Sequence, residues 1–497
     1  MAESDLDPNE TCDVLIVGAG ISGLGMAAHL RRACPGKRFQ ILERRARVGG
    51  TWDLFRYPGV RSDSDMHTLG FAFAPWRDER AIAPGESIRG YLEQVAADHG
   101  IAEHIRFGRR VVAANWNSVA RRWAVRWEAD DGTRGTATAR FLFLGSGYYD
   151  HDRPHEAEIT GLSDFAGPIF HPQFWPDGVD LSGKRVVVIG SGATAVSLVP
   201  ALAAAGAKVT MLQRTPSWYL TIPGRDWIAE SLRRWLPERL AYRLTRTKNV
   251  RMQRWFFNRS RNKPAEVTEF LTRQVRKRLG KAFDAEAFTP PYKPWEQRLC
   301  LVPDGDFFRA VRSGKAKIVT ARIASVEADG IRLDDGRHLA ADAIVTATGL
   351  RLAMAGNIAV SLNGEPVHFA ERFYYRNAML SNVPNFAVLF GYLNASWTLR
   401  VDIVADWLCR VLRQMDAWGV DVVTPVLAPD HSLVEEPVLE MFSSGYLRRG
   451  RHLVPKSATT APWQISMDYH SDRRALRRAP IDDGVLRFAR IGAPIVA

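Results

Sequence analysis

The chain has 497 residues, enough for roughly two to four domains, and its 46% hydrophobic and 24% charged residues exclude a disordered or collagen-like protein. No run of about 18 apolar residues is present, which excludes a membrane-spanning helix, and the acidic start MAESDLDPNE lacks the apolar core of a secretory signal or the basic face of a transit peptide. Four scattered cysteines with no CxxC pair read as buried thiols of a cytoplasmic protein with no metal centre and no redox disulfide, and the net charge of +13 is concentrated in residues 225–281, where 17 Lys and Arg face 5 Asp and Glu.

In chain order, Asp13 to Val17 (DVLIV) reads as a buried strand, followed by a glycine turn, a helix through Ala33 and a second parallel strand at Arg38 to Leu42. Val111 to Asn117 and Arg121 to Ala129 alternate as a meander, the Asp131-Gly132 pair marks a hairpin, and Arg140 to Tyr149 is a strand that ends in glycines. A second βαβ unit starts at Lys184, with strands at Arg185 to Ile189 and Lys208 to Leu212 around a helix through Ala205. Asp226 to Arg278 is expected to form two or three basic amphipathic helices, Ile331 to Gly349 a hairpin leading into a buried strand, and Leu399 to Trp418 a helix before a polar tail.

The expected fold is therefore α/β, with two Rossmann-like dinucleotide-binding domains and a helical insertion in the second. Its divisions are 1–150 for the first part of one domain and 151–181 for a linker. Residues 182–345 form the second domain, with the insertion at about 225–290, and 346–497 complete the first domain together with a C-terminal region.

The first fingerprint is Gly18-x-Gly20-x-x-Gly23, with Glu43 twenty residues after its last glycine. Glycines there allow a tight turn, close approach of a pyrophosphate and helix–strand packing, and the acidic residue suits ribose hydroxyls. The free N–H groups and positive dipole end of the following helix face the phosphates. The second fingerprint is Gly190-x-Gly192-x-x-Ala195, and Gln213 and Arg214 stand where an NAD-binding site would place a carboxylate. An arginine there pairs with a 2′-phosphate, which points to NADPH. A nicotinamide that delivers hydride needs a fixed acceptor, and FAD in the first domain is the natural one. The absence of a CxxC pair removes disulfide reductases from the flavoprotein classes that remain.

Two further patterns narrow the class. Phe165-x-Gly167-x-x-x-His171-x-x-x-Trp175-Pro176 precedes the second domain, and Gly49-Gly50-x-Trp52-x-x-x-x-Tyr57-Pro58-Gly59-x-x-x-Asp63 follows the first acidic strand. With these the chain resembles the type I Baeyer–Villiger monooxygenases of the flavin monooxygenase superfamily. Segments from Gly49, Val186, Arg298 and Gly391 carry the likeness to its mycobacterial, ethionamide-activating branch over nearly the full length, and it weakens in the basic insertion and in Leu352 to Arg376.

The resemblance implies FAD and NADPH as cofactors. It implies O2 and a ketone, sulfide or thioamide as substrates, and oxygen transfer through a C4a-peroxyflavin. It also implies catalytic roles for Arg298, a fixed positive charge beside that intermediate, and for Asp63, which would orient it. Trp52 would pack near the flavin together with Gly50 and Asp63, His171 would couple domain motion to NADPH, and Thr348 and Gly349 would bring a strand end close to FAD. Asn394 to Trp397 matches the family without a specific role.

The alternative reading is an S- or N-oxygenating flavin monooxygenase with little ketone activity, which the Trp175-Pro176 ending disfavours. A basic membrane- or nucleic-acid-binding protein with a vestigial nucleotide fold is the reading from another class. Nothing in the sequence marks a nucleic-acid-binding module. Trp227, Leu232, Trp235, Leu236 and Leu240 lie among the arginines of the insertion at mostly helical spacing, which suits peripheral membrane association, a solvated lid or a subunit contact.

Overall fold

The computed structural model describes residues 11–437 and 443–490, and two sheets, one mixed and one all parallel, organise it. In the first, the strand Thr11–Val17 lies between Phe39–Leu42 and the later strand Arg134–Leu144, all parallel, with Val17 opposite both Leu42 and Leu144. Val14, Leu15 and Ile16 have no exposed surface, as a central strand covered on both faces requires. Phe386–Val388 adds to the same sheet beside Leu142 to Leu144, and Ala359–Leu362 adds beside the meander strand Arg110–Asn117. The chain after the second unit thus returns to complete the first.

The second sheet has the order 316–320, 208–213, 185–189, 343–346 and 169–170, again all parallel. Its outermost strand, Ile169–Phe170, lies in the segment expected to be a linker. Gly167 makes that possible. A Cβ on it would sit 2.8 Å from the Asp342 carbonyl oxygen and 2.7 Å from the Phe165 ring, whose side chain is buried against Ile189 and Ile344.

Two other expectations change in detail. The strand expected from Arg140 begins at Arg134, because the Thr-Ala-Thr-Ala alternation pairs with Arg122–Glu128 before the apolar half enters the parallel sheet. The expected polar tail is folded: Gly445–Gly450 and Tyr469–Arg478 are helical, and Leu486–Ala489 pairs with Val422–Pro425. Its polarity serves an internal charge. Arg400 is fully buried in the helix Trp397–Trp418, lies over the Tyr392 ring at 3.9 Å and pairs with Asp472 at 3.1 Å. All four cysteines are buried, and no disulfide joins them.

The insertion is three helices, Trp227–Trp235, Glu238–Asn262 and Pro264–Leu279. Asp226 caps the first by accepting hydrogen bonds from the N–H groups of Ile228 and Ala229, and Pro264 occupies the first turn of the third, where its missing N–H is harmless. The long middle helix leaves the second unit and docks on the first. Tyr242 donates to the Phe71 carbonyl at 3.1 Å, Arg246 pairs with Asp402 at 3.2 Å, and Asn249 donates to Asp65 at 2.7 Å.

Beneath that helix, His67 is 1% exposed and its Nδ1 lacks a hydrogen-bond partner. Burial, aided by the charge of Arg233, holds its pKa down from 6.5 to about 4. The unfolded chain therefore takes up this proton first as the pH falls, so stability is full above pH 6.5 and declines as the pH drops toward 4. Urea unfolding across that window is expected to show a slope of up to about 1.4 kcal/mol per pH unit from this group. His67→Gln should remove that slope, and an unchanged pH profile in the variant would contradict the assignment.

Candidate active site

A cavity of about 440 Å³ lies between the two units, and it is lined from both fingerprints: Gly18, Gly20 and Glu43 from the first, and Ala193, Thr194 and Ser197 at the start of the helix after the second. The helices Ile21–Ala33 and Ala193–Ala204 begin at Gly20 and Gly192, and neither carries a side-chain cap or an acidic residue in its first turn. Their first N–H groups are left for anions.

The glycine positions follow from contacts. Gly23 passes so close to the first turn that a Cβ would meet the Gly18 carbonyl at 1.9 Å, and Gly190, at φ +130°, passes equally close to the Ala347 carbonyl at 2.3 Å. Gly20 and Gly50 face each other, with a Cβ on Gly50 only 3.2 Å from the Gly20 Cα, while the space beside Gly192 is open. These are cradles that side chains would fill, and they fit two nucleotide pyrophosphates. Ala195 is fully buried against the sheet.

Glu43 is 3% exposed, and its two oxygens accept the N–H groups of Ala19 at 2.6 Å and Arg45 at 2.8 Å. It therefore braces the glycine turn. Each oxygen retains a lone pair for a ribose hydroxyl, and burial pushes its pKa up against those two hydrogen bonds. Gln213 is buried and held by the Ala287 carbonyl and Thr320, whereas Arg214 is exposed with no ion-pair partner among the described residues.

The loop from Gly49 to Asp63 crosses from one fingerprint to the other. Trp52 lines the cavity beside Gly85. Tyr57 is buried and reaches Ser197, and Gly59, at φ +81°, lies where a Cβ would be 2.4 Å from the Ser197 carbonyl oxygen. Arg61 then pairs with Asp306 of the second unit. At the loop's end Asp63 meets Arg298, with Nη1 and Oδ2 3.0 Å apart, and both line the cavity. Burial would lower the Arg298 pKa; the Asp63 carboxylate is the chief group opposing it, and the net direction is upward.

Sequence reasoning missed the aromatic wall around this pair. Tyr148 stacks on Trp397 at 4.9 Å, Trp397 donates to Ser22 at 2.8 Å, and Tyr149 and Tyr446 complete the cluster beside Arg298. Burial raises the pKa of all three phenols, so they remain neutral. The signal was present as Gly147-Tyr148-Tyr149 after a strand end, but adjacency to Arg298 and Tyr446 exists only in three dimensions.

Thr348, Gly349 and His171 stand outside this cavity. Thr348 and Gly349 follow the strand Ala343–Thr346 of the second sheet, just past Ala347, whose carbonyl abuts Gly190, and the chain next lines the cavity at Leu350 and at Gly356 to Ile358. In His171, Nδ1 accepts the Gln173 N–H at 3.2 Å, the ring is beside the Gly349 backbone, and burial lowers its pKa, which keeps it neutral. A second cavity of about 540 Å³, lined by Val250, Phe257, Asn394 and Met467, meets the first at Ala395.

Comparison with known proteins agrees with this geometry. A model described as an NAD(P)-binding Rossmann-like domain matches residues 16–78, and one described as putative NAD(P)-binding matches 178–269. The FAD-containing monooxygenase EthA of Mycobacterium tuberculosis is 48% identical over 488 residues, covering 98% of this chain and 99% of that protein. The chain belongs to the FAD-containing monooxygenases. The probable FAD-binding monooxygenase AlmA of Acinetobacter baylyi is 45% identical over 477 residues, covering 96% of each. Among solved structures, oxidized steroid monooxygenase bound to NADP superimposes with a TM-score of 0.77 at 23% identity, covering 97% of this chain and all of that one. OTEMO in complex with FAD and NADP gives 0.76 at 22% identity, covering 96% and 99%. The fold is thus that of Baeyer–Villiger monooxygenases, and this monooxygenase is a flavoprotein enzyme that uses FAD and NADPH.

Proposed function

We propose that this monooxygenase uses NADPH and O2 to insert oxygen into ketones, giving esters or lactones, and to oxidise sulfides or thioamides. The observation that carries the reading is the Arg298–Asp63 pair in the cavity that joins both fingerprints. We assign FAD to the first fingerprint with Glu43, Gly50 and Trp52, and NADPH to Gly190, Gly192, Ala195 and Arg214. Reduced FAD, when bound, supplies the activation of O2.

The protein's residues supply the rest. Arg298 is permanently protonated and gives a fixed positive charge where negative charge develops on oxygen. Asp63 holds the guanidinium in one orientation, since an Arg–carboxylate hydrogen bond is directional. The neutral phenols of Tyr148, Tyr149 and Tyr446 narrow the cavity and keep bulk water from that charge, which strengthens it. The second cavity, on the far side of Ala395, accommodates the remote part of a substrate. His171, neutral and half-buried beside Gly349 at the crossing between the units, positions the second unit and is not a general base.

Product analysis tests the reaction. A phenyl-alkyl ketone and a thioether incubated with NADPH under air should give ester and sulfoxide; sulfoxide without ester would favour the S- or N-oxygenating alternative. Arg298→Ala is expected to leave flavin reduction by NADPH intact while product formation falls by about 100-fold or more. Normal product formation by that variant would refute the assignment. Arg214→Ala should raise the KM for NADPH by about 10-fold and leave that for NADH nearly unchanged, and equal effects on both would argue against contact with the 2′-phosphate.

A further inference from the structure

The helical insertion has two faces of opposite character. On the helix Glu238–Asn262, the inward residues Tyr242, Arg246 and Asn249 hold the first unit. At about 100° per residue, Leu240, Leu244, Arg251 and Trp255 fall within about 60° of arc on the opposite side. Leu240 and Leu244 are each 43% exposed and Trp255 is 58% exposed. The preceding helix repeats the pattern. Ala229 is buried, while Trp227 and Trp235, on the other side, are 69% and 85% exposed.

Along the same two helices lie Arg234, Arg239, Arg243, Arg251 and Arg261, all exposed and without a carboxylate partner among the described residues. Of the acidic residues nearby, Asp226 pairs with Lys248, Glu238 with Arg77 and Glu266 with Arg259 and Lys263, while Glu230 is half-buried. The surface therefore offers tryptophan and leucine side chains set among unpaired guanidiniums.

We propose that the exposed face of residues 227–261 docks on the surface of an anionic lipid bilayer. Tryptophan rests favourably at the level of lipid headgroups, leucines enter the acyl boundary, and each unpaired arginine meets a lipid phosphate or anionic headgroup. A second copy of the chain fits poorly, because a two-fold contact through this face would oppose five unpaired arginines of each copy with the same five of the other. Single-stranded nucleic acid uses aromatic platforms, but the leucines here have no ring on which a base can stack. No described helix is long and apolar enough to span a membrane, so the contact is peripheral. This proposal is independent of which substrate the enzyme oxygenates.

Co-sedimentation of the flavin-loaded protein with phosphatidylcholine vesicles, with and without about 30 mol% phosphatidylglycerol, tests it. Binding is expected only with phosphatidylglycerol and should weaken at least 10-fold in high salt. The pair Arg243→Glu and Arg251→Glu should lose binding by 10-fold or more, and Trp235→Ser with Trp255→Ser should weaken it several-fold. Flavin absorbance and NADPH oxidation with a water-soluble sulfide should be unchanged, since none of these residues lines the cavity. Unchanged vesicle binding in both pairs, equal binding to both vesicles, no binding to either, or capture of a single-stranded oligonucleotide in place of vesicles would each overturn the proposal.

Discussion

The approach of Gly59 to the Ser197 carbonyl is the contact on which the arrangement of this molecule depends. Hydride transfer requires two nucleotides bound by separate units to meet in one cavity, and a backbone-to-backbone approach sets the distance between the units more tightly than long side chains can. The loop that makes this contact leaves the first glycine turn at Gly50, packs on the second unit's helix through Tyr57 and Gly59, ties to Asp306 through Arg61 and ends at Asp63. A side chain at Gly59 would push the second unit away, and Asp63 would lose its place beside Arg298. Cofactor placement and the charged pair are thus consequences of one close approach.

Three arginine–aspartate pairs show how burial decides what a charge can do. Arg400–Asp472 and Arg246–Asp402 are closed within the protein and spend their hydrogen bonds on carbonyls and ring faces around them. Such pairs specify how the C-terminal segment and the long helix dock. Arg298–Asp63 keeps 31% and 42% of its side chains exposed to the cavity, so its charge remains available to a bound molecule. The neighbouring tyrosines lower the local polarity without competing for protons.

The basic insertion follows the same logic on a larger scale. It belongs in sequence to the second unit but anchors on the first, so it straps the two together. With its anchoring side turned inward, the charge that dominates the whole protein's net balance is turned outward.

Local chemistry was enough to read much of this from the sequence. Glycine turns between apolar strands and helices announce nucleotide sites because only glycine tolerates those conformations and approaches, and the helix ends at Ala33 and Trp418 follow from periodicity. The Asp63–Arg298 pairing was anticipated through family resemblance; no spacing along the chain implies it. Tertiary structure alone decided three things. Ile169–Phe170 joins the second sheet, because two residues are too short to show a strand pattern. Ala347, just before Thr348 and Gly349, abuts the second fingerprint at Gly190, because a strand's neighbours are set by sheet order. The polar C-terminal segment is folded, because its aspartate neutralises a buried arginine more than 70 residues away, a reason invisible to any local reading of hydropathy.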